Sequence, residues 1–389
     1  MSSPKTSSFL GSPLSEPPIK KCRRCGSDGL DRFIMIYQNP METCEYKRDL
    51  HSLFFLQCFN TTSLIGSGSF GDVVTVTSKT TGIQSAVKIS KKQIANRAKY
   101  DELLREVRMH SAIPPHNNIV RLEAAWSESR VVFVQTELCV SNLHVFKSSP
   151  LFSTGILLHA INDIALGMHH LHSNGILHVD LKPENIMVTE KGVCKIGDFG
   201  IAIRVGEILK HFDGDGRYLP IDLLNGSPTP KTDVYSLSMT FLEISLGINI
   251  PKSFEERKRL RASSPLKEKF RNLGRAELFD LIRPGLSSNP QKRPEVSQIL
   301  TLIQAIVSRF GKRPDISWRY DTNQSAFVVI NRLPPAYRTP QRESSQKGET
   351  FGTPNFNLSP KVVSKSEPRT RVQKIRKIPI NWGDTLDMK

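Results

Sequence analysis

The chain has 389 residues, enough for one large domain or two modest ones with length to spare, and 38% of it is hydrophobic. Its formal net charge of +17 attracts acidic partners of any kind without choosing among them, so no specific nucleic acid is implied. No apolar run approaches the ~18 residues of a spanning helix, and Met1 to Lys20 lacks the apolar stretch of a secretory signal. The expectation is a chain of the nucleus or cytoplasm without a transmembrane anchor.

Residues 1–53 mix Ser, Pro, Lys and Gly with little periodicity, and residues 309–389 return to that composition. Both predict disordered basic tails around a folded core of residues 54–308. Six cysteines (Cys22, Cys25, Cys44, Cys58, Cys139, Cys194) show no disulfide-framework spacing, which fits a reducing compartment. Cys22-Arg-Arg-Cys25 has the shape of half a zinc knuckle that Cys44, His51 or Cys58 could complete. No second such pair exists, and two thiols in a flexible tail are the simpler reading.

Inside the core, Ser63 to Val76 alternates β-formers with glycine and Ser85 to Ile89 is a second short strand, which together predict a twisted antiparallel sheet. A helix over Tyr100 to Met109 carries Leu103, Leu104 and Val107 at helical spacing until Pro114-Pro115 stops it. After the apolar strand Val131 to Gln135, helices are predicted over Ile156–His172, Asp233–Leu246, Ala276–Ile282 and Val296–Val307. The class is α+β: a small antiparallel sheet lobe with one key helix over about 54–139, then a larger, mainly helical lobe over about 140–308.

Ile65-Gly-Ser-Gly-Ser-Phe-Gly-Asp-Val-Val74 places Gly66, Gly68 and Gly71 between two strands, where missing side chains let backbone amides approach phosphate oxygens. A dinucleotide loop would open a helix, but here strand residues continue. Lys88 on the next strand brings an ammonium to those phosphates, and Glu106 on the helix can hold it as an ion pair; Glu102 competes, at the poorer spacing. His178-Val-Asp180-Leu-Lys182-Pro-Glu-Asn185 combines a carboxylate, a lysine and an amide on one loop. Asp180 would orient a substrate hydroxyl and accept its proton, Lys182 would steady the transferring phosphoryl group, and Asn185 would ligate a magnesium ion. Asp198-Phe-Gly200 follows, with Asp198 the main metal ligand.

Asp233 stands where a carboxylate can accept amide hydrogens of that loop, and Asp222 with Arg293 can form a buried ion pair. Thr136 lies where the strand meets a hinge whose Glu137 to Cys139 offer backbone groups to adenine. The candidate nucleotide contacts are Ile65, Gly66, Ser67, Gly68, Gly71, Val73, Lys88, Glu137 and Cys139.

This ordered set matches the protein-kinase signatures, and with it the two-lobed protein-kinase fold and the use of ATP and Mg2+. Across about residues 54–308 the chain further resembles the Wee/Myt family of cyclin-dependent-kinase-inhibitory kinases. Gln135-Thr-Glu-Leu-Cys139 is similar to the Myt branch at the hinge, Phe212-Asp-Gly-Asp-Gly-Arg-Tyr218 to the family's acidic activation segment, and Gln57-Cys-Phe59 to the run ahead of its glycine loop. The resemblance implies a monomeric enzyme that phosphorylates a tyrosine, and the adjacent threonine, in the glycine-rich loop of a cyclin-dependent kinase bound to its cyclin. Where many Ser/Thr kinases carry a threonine, Asp215 stands here and is expected to pair with Lys182. Val179 replaces the arginine that grips a phosphorylated activation loop, which predicts activity without loop phosphorylation. Pro220-Ile221-Asp222 stands for the usual Ala-Pro-Glu.

Ser12-Pro13, Thr339-Pro340, Thr353-Pro354 and Ser359-Pro360 are proline-directed sites, and Arg369 to Lys377 is a basic run that suits nuclear import or an acidic surface. A Ser/Thr kinase of another family, and a pseudokinase or scaffold for cell-cycle partners, are the alternatives.

Overall fold

The computed structural model describes residues 33–38, 46, 53–67, 71–90, 97–149, 152–207, 214–313, 317–321 and 326–330. Cys22, Cys25, Cys44, His51, Gly68, Phe212 and the proline-directed tail sites lie outside them.

The first lobe is one antiparallel six-stranded sheet, made by β1 (Ile34–Gln38), β2 (Phe59–Ser67), β3 (Gly71–Ser78), β4 (Gln84–Ser90), β5 (Leu122–Glu128) and β6 (Val131–Glu137) in the order β1-β5-β6-β4-β3-β2. Side chains alternate across β6. Val132 and Val134 pack on Tyr100, Leu104 and Val107 of helix α2 (Arg97–Ser111), which inserts between β4 and β5 in sequence. On the opposite face Phe133 stacks on Trp126 at 5.1 Å and on Phe55 at 5.4 Å; Phe55 belongs to the short helix α1 (Phe54–Cys58). Both faces are therefore covered, one by a helix and one by aromatic rings.

The expected tail over residues 1–53 is corrected by β1, which pairs with the β5 edge, and by Phe33 and Tyr46, whose rings lie 4.8 and 5.2 Å from Phe54. The free edge of β5 supplies the hydrogen bonds that this segment's own sequence does not advertise. Buried Glu128 completes the seam: its carboxylate accepts from the Phe54 and Phe55 amides at 2.7 and 3.1 Å and from Trp126 Nε1 at 3.1 Å. Cys58, expected to be a free thiol or a metal ligand, is disulfide-bonded, while Cys139 and Cys194 are free.

The second lobe begins with β7 (Ser141–Asn142) and α3 (Leu143–Phe146), then the long α4 (Thr154–Ser173). Four short strands, β8 (Ile176–Leu177), β9 (Ile186–Val188), β10 (Cys194–Ile196) and β11 (Ile203–Arg204), carry the loops between them. Helix α5 (Pro230–Leu246) is the axis of the lobe: Pro230 and a Thr229/Thr232 capping box start it, Gly247 at φ +64° ends it, and its interior is buried from Thr232 to Ser245. Helices α6 (Phe254–Leu260), α7 (Ser263–Asn272), α8 (Ala276–Ile282) and α9 (Val296–Phe310) complete the shell. In α9 the buried Val296, Ile299, Leu300, Ile303 and Ile306 recur at helical spacing, the amphipathic pattern its sequence predicts.

The tail expected from residue 309 also starts later than its composition suggests. After α9, Arg313 donates to Asp163 Oδ1 of α4 at 2.5 Å and to the Gly192 carbonyl at 2.8 Å, and residues 317–330 contain a hairpin of β12 (Ser317–Asp321) and β13 (Ala326–Ile330).

Candidate active site

On β4, Lys88 reaches across to α2, and its ammonium sits 2.8 and 2.9 Å from the two carboxylate oxygens of Glu106. The sequence's choice of Glu106 over the exposed Glu102 is the one the fold makes. Burial works to lower the Lys88 pKa, but Glu106 and the nearby Asp198 overrule it and hold it above its ordinary value, so the ammonium stays charged.

Gly71 is required by packing: a Cβ there would lie 2.4 Å from the Ile89 carbonyl. Gly66 is different, because a Cβ there would make only an ordinary contact with Val73, whose Cβ is 3.7 Å away. Exposed Ile65 and Ser67 flank it on β2, and half-buried Val73 faces it from β3 in the register Gly66↔Val73. Glu137 at the hinge spends its carboxylate on Lys195 at 2.9 Å and on the Arg121 amide at 2.7 Å, and its own amide donates to the Arg121 carbonyl at 3.1 Å, so of its main chain only the carbonyl is a candidate for a ligand. Burial pushes the Cys139 thiol up to about 12, so it is a neutral contact rather than a nucleophile.

The loop after β8 is held from beneath. Asp233, fully buried in α5, accepts from the His178 and Val179 amides at 2.9 and 2.8 Å and from His172 Nε2 at 2.9 Å. Burial pushes its carboxyl up, but these hydrogen bonds and the His172 ring bring it below the usual carboxylate range. The loop amides follow the sequence expectation; His172 does not, since a lone histidine near a helix end gave no signal. Val179 packs into an apolar cluster with Leu177, Ile203 and Ile201, at φ +69°.

Asp180 is therefore presented on a rigid base. Its Oδ2 accepts from Lys182 Nζ at 2.6 Å and Asn185 Nδ2 at 2.9 Å, and its Oδ1 from the Asp215 amide at 3.1 Å. Asn185 Nδ2 also reaches the Asp180 carbonyl at 2.9 Å, so its nitrogen is engaged and its amide oxygen is the atom left for a cation. Asp198 stands exposed at φ +59° with Oδ1 3.3 Å from the Gly200 amide. A carboxylate and an amide oxygen are the hard donors that a divalent cation carrying phosphate takes. The residues fit such a group, with Lys88 supplying the fixed positive charge.

The expected Asp215–Lys182 pair is not the one that forms. Lys182 is already engaged with Asp180, while Arg217 offers a planar fork two residues on and binds Asp215 through its amide (3.0 Å), Nε (3.0 Å) and Nη2 (2.6 Å). Against burial, which raises it, Arg217's hydrogen bonds and charge, with Lys182 adding its field, hold the Asp215 carboxyl below its ordinary value. Arg217 Nη2 reaches Glu184 as well, at 3.3 Å. Next to it, Tyr218 donates to fully buried Glu243, whose other oxygen takes the Lys147 ammonium from α3. Asp222 and Arg293 pair as expected, with Nη1 3.2 Å from Oδ2.

A nucleotide-facing lysine–glutamate pair, a propped carboxylate loop and a following Asp-Phe-Gly on this two-lobed scaffold define a protein kinase. The protein kinase domain family matches residues 59–302, and the chain belongs to that family. Within it the chain falls among the Wee/Myt kinases. It is 33% identical over 67% of its length to the membrane-associated tyrosine- and threonine-specific cdc2-inhibitory kinase wee-1.3 of Caenorhabditis elegans, covering 39% of that protein. It is 31% identical over 64% of its length to the Drosophila melanogaster kinase of the same description, covering 47% of it. The Wee1-like protein kinase of Arabidopsis thaliana is 31% identical over 63% of the chain, which covers 49% of that relative. The chain thus spans between about two fifths and half of the length of these relatives.

Proposed function

We propose that this chain, a Myt-like member of the group, transfers the γ-phosphate of Mg-ATP to a tyrosine, and the adjacent threonine, in the glycine-rich loop of a cyclin-dependent kinase, inhibiting it and restraining entry into mitosis or meiosis. The cdc2-inhibitory names of its relatives and the Gln135 to Cys139 hinge support the substrate. One observation carries the chemistry: the Asp180 carboxylate receives Lys182, Asn185 and the Asp215 amide, which fixes its orientation towards an incoming hydroxyl.

Asp198 and the Asn185 oxygen would hold Mg2+, which when bound would neutralise charge on the triphosphate and so favour attack at its terminal phosphorus. Ile65, Gly66, Ser67, Gly68, Gly71 and Val73 cover the nucleotide, Glu137 and Cys139 meet the adenine through their main chain, and Lys88 orients the phosphates under the control of Glu106. Asp180 accepts the hydroxyl proton, and Lys182 neutralises charge on the transferring group. Among the described residues no helix is long and apolar enough to cross a membrane; the enzyme works as a monomer in the nucleus or cytoplasm.

Incubating the purified chain with a cyclin-dependent kinase–cyclin complex and Mg-ATP, followed by mass spectrometry, tests this. Phosphate on the glycine-loop tyrosine, absent with Lys88→Met, is the expected result. Phosphate only elsewhere, or none, would refute the assignment.

A further inference from the structure

Helix α6 is ordered without a core of its own. It buries no residue, and polar contacts hold it: the Glu256 amide donates to Ser253 Oγ at its start, Arg257 Nη1 donates to the Pro251 carbonyl at 3.1 Å, and Arg261 donates to Tyr235 Oη of α5. Between Lys252 and Arg271, across α6 and α7, stand eight Lys and Arg against three Glu. Arg257 and Arg261 are spent on the contacts just given, and Arg271 pairs with Glu268 at 3.1 Å. Lys252, Lys258, Arg259, Lys267 and Lys269 are exposed and meet no carboxylate among the described residues. By contrast, Arg293 pairs with Asp222, Arg309 with Glu277 and Arg313 with Asp163. Like charges left together repel, and an acidic surface brought against them removes that cost.

The position of α6 narrows what brings the acid. Tyr235, which takes Arg261, also lies 5.1 Å from the Arg293 guanidinium, and Arg293 holds Asp222 in the short 3-10 helix Ile221–Asn225 that closes the activation segment. At the head of α6, Arg257 holds Pro251 at the end of the loop whose Ile248 carbonyl and Asn249 Oδ1 receive Lys147 of α3. Lys147 in turn shares Glu243 with Tyr218. Helix α6 is therefore fastened at both ends to the stretch from Tyr218 to Asp222, which follows the Asp215 amide that steadies Asp180. Phe254 at its head is an exposed aromatic of the kind enriched in protein interfaces. A folded protein handing a hydroxyl to Asp180 comes to lie along this face, and a bilayer resting there would stand in that protein's path.

We propose that the basic face of α6 and α7 is a docking surface for an acidic patch of the folded protein substrate, apart from the residue that is phosphorylated. The proposal deepens the kinase assignment above and rests on it. Long-range attraction sets the encounter and its salt dependence while the groups around Asp180 are untouched, so the face governs KM for the protein substrate rather than kcat.

The test is steady-state kinetics of the full chain on the cyclin-dependent kinase–cyclin complex, against a charge reversal (Lys258→Glu, Arg259→Glu, Lys267→Glu and Lys269→Glu together) and a conservative exchange (Lys258→Arg with Arg259→Lys). In the reversal, KM for the complex should rise about tenfold with kcat and the ATP KM within about twofold of native, and the native chain's rise of KM with added salt should flatten; the exchange should behave as native. Should the reversal not fold, Lys258→Gln with Arg259→Gln carries the same comparison, with an expected rise in KM of about threefold. A native KM in the reversal, or a loss that falls on kcat and the ATP KM instead, overturns the proposal. A native KM combined with lost sedimentation on phosphatidylserine vesicles assigns the face to lipid and refutes it equally. No turnover of the complex by the native chain refutes the substrate assignment and this proposal with it, whereas native turnover that the reversal leaves unchanged refutes the proposal alone.

Discussion

A β-branched residue at positive φ is among the more costly backbone states, of order 1–3 kcal/mol, and Val179 adopts it at +69° one position before Asp180. The surroundings overdetermine it: the amide is held by Asp233 Oδ1 and the side chain by Leu177 and Ile203. The arginine this valine replaces would bring a charge that needs a phosphate; the valine needs only its apolar cluster. The neighbouring Arg217 does comparable service for Asp215. Arg217→Leu leaves a half-buried carboxylate without its fork, and kcat should fall about tenfold, equivalent to about 1.4 kcal/mol, with the ATP KM unchanged in steady-state assays. Buried His110 gives a pH signature. Its folded pKa lies below the unfolded value, so the unfolded chain takes up the proton first and stability is lost as pH falls from about 6.5 towards about 4. Between pH 7 and 5 the wild type should lose roughly 2 kcal/mol relative to His110→Leu in urea unfolding.

Buried polar links join the elements. Glu128 ties α1 to β5 through three donors, although burial pushes its own carboxyl upward. Glu128→Ala should cost about 3 kcal/mol by leaving those N–H groups unpaired, read as a lower urea midpoint at unchanged m-value. Lys147 links α3 to α5 through Glu243 and also donates to the Ile248 carbonyl and Asn249 Oδ1, both at 2.9 Å. Lys147→Met strands a fully buried carboxylate and should cost about 3–5 kcal/mol, much of it recovered by adding Glu243→Gln. Elements with their own periodicity were legible: α8 is Ala276–Ile282 as its sequence predicts, and α4, α5 and α9 extend their predicted spans by a few residues. Those that borrow order from elsewhere were not. β1 needs the β5 edge and α6 buries no residue fully, so it shows no apolar stripe; α7 buries Leu266 and Phe270 one turn apart, a pair too short to stand out among its charged neighbours. The site residues Lys88, Glu106, Asp180, Asn185 and Asp198 could be read because their chemistry demands fixed types at fixed spacing. Arg217, His172 and Lys147 act through contacts made only in three dimensions, and Asp215 was given the wrong partner because spacing alone does not reveal that Lys182 is already engaged.

At the scale of the molecule, the two lobes meet through the parallel bridge of Ile119 with Ile196, the backbone hydrogen bonds of Ile196 with Val120 and Asn118, and the Lys195–Glu137 ion pair, while Lys88 with Glu106 and His110 with Val120 fix the first lobe internally. The loop beneath them is set by Asp233 and by packing around Val179, with no phosphate called for. The whole arrangement is that of an enzyme assembled by its own sequence. A progress curve from exhaustively phosphatase-treated chain, with no added activator, tests this most directly. The account predicts phosphorylation of the cyclin-dependent kinase that is linear from the first time point; a lag that disappears only as the chain's own loop becomes phosphorylated, or no turnover at all, would contradict it.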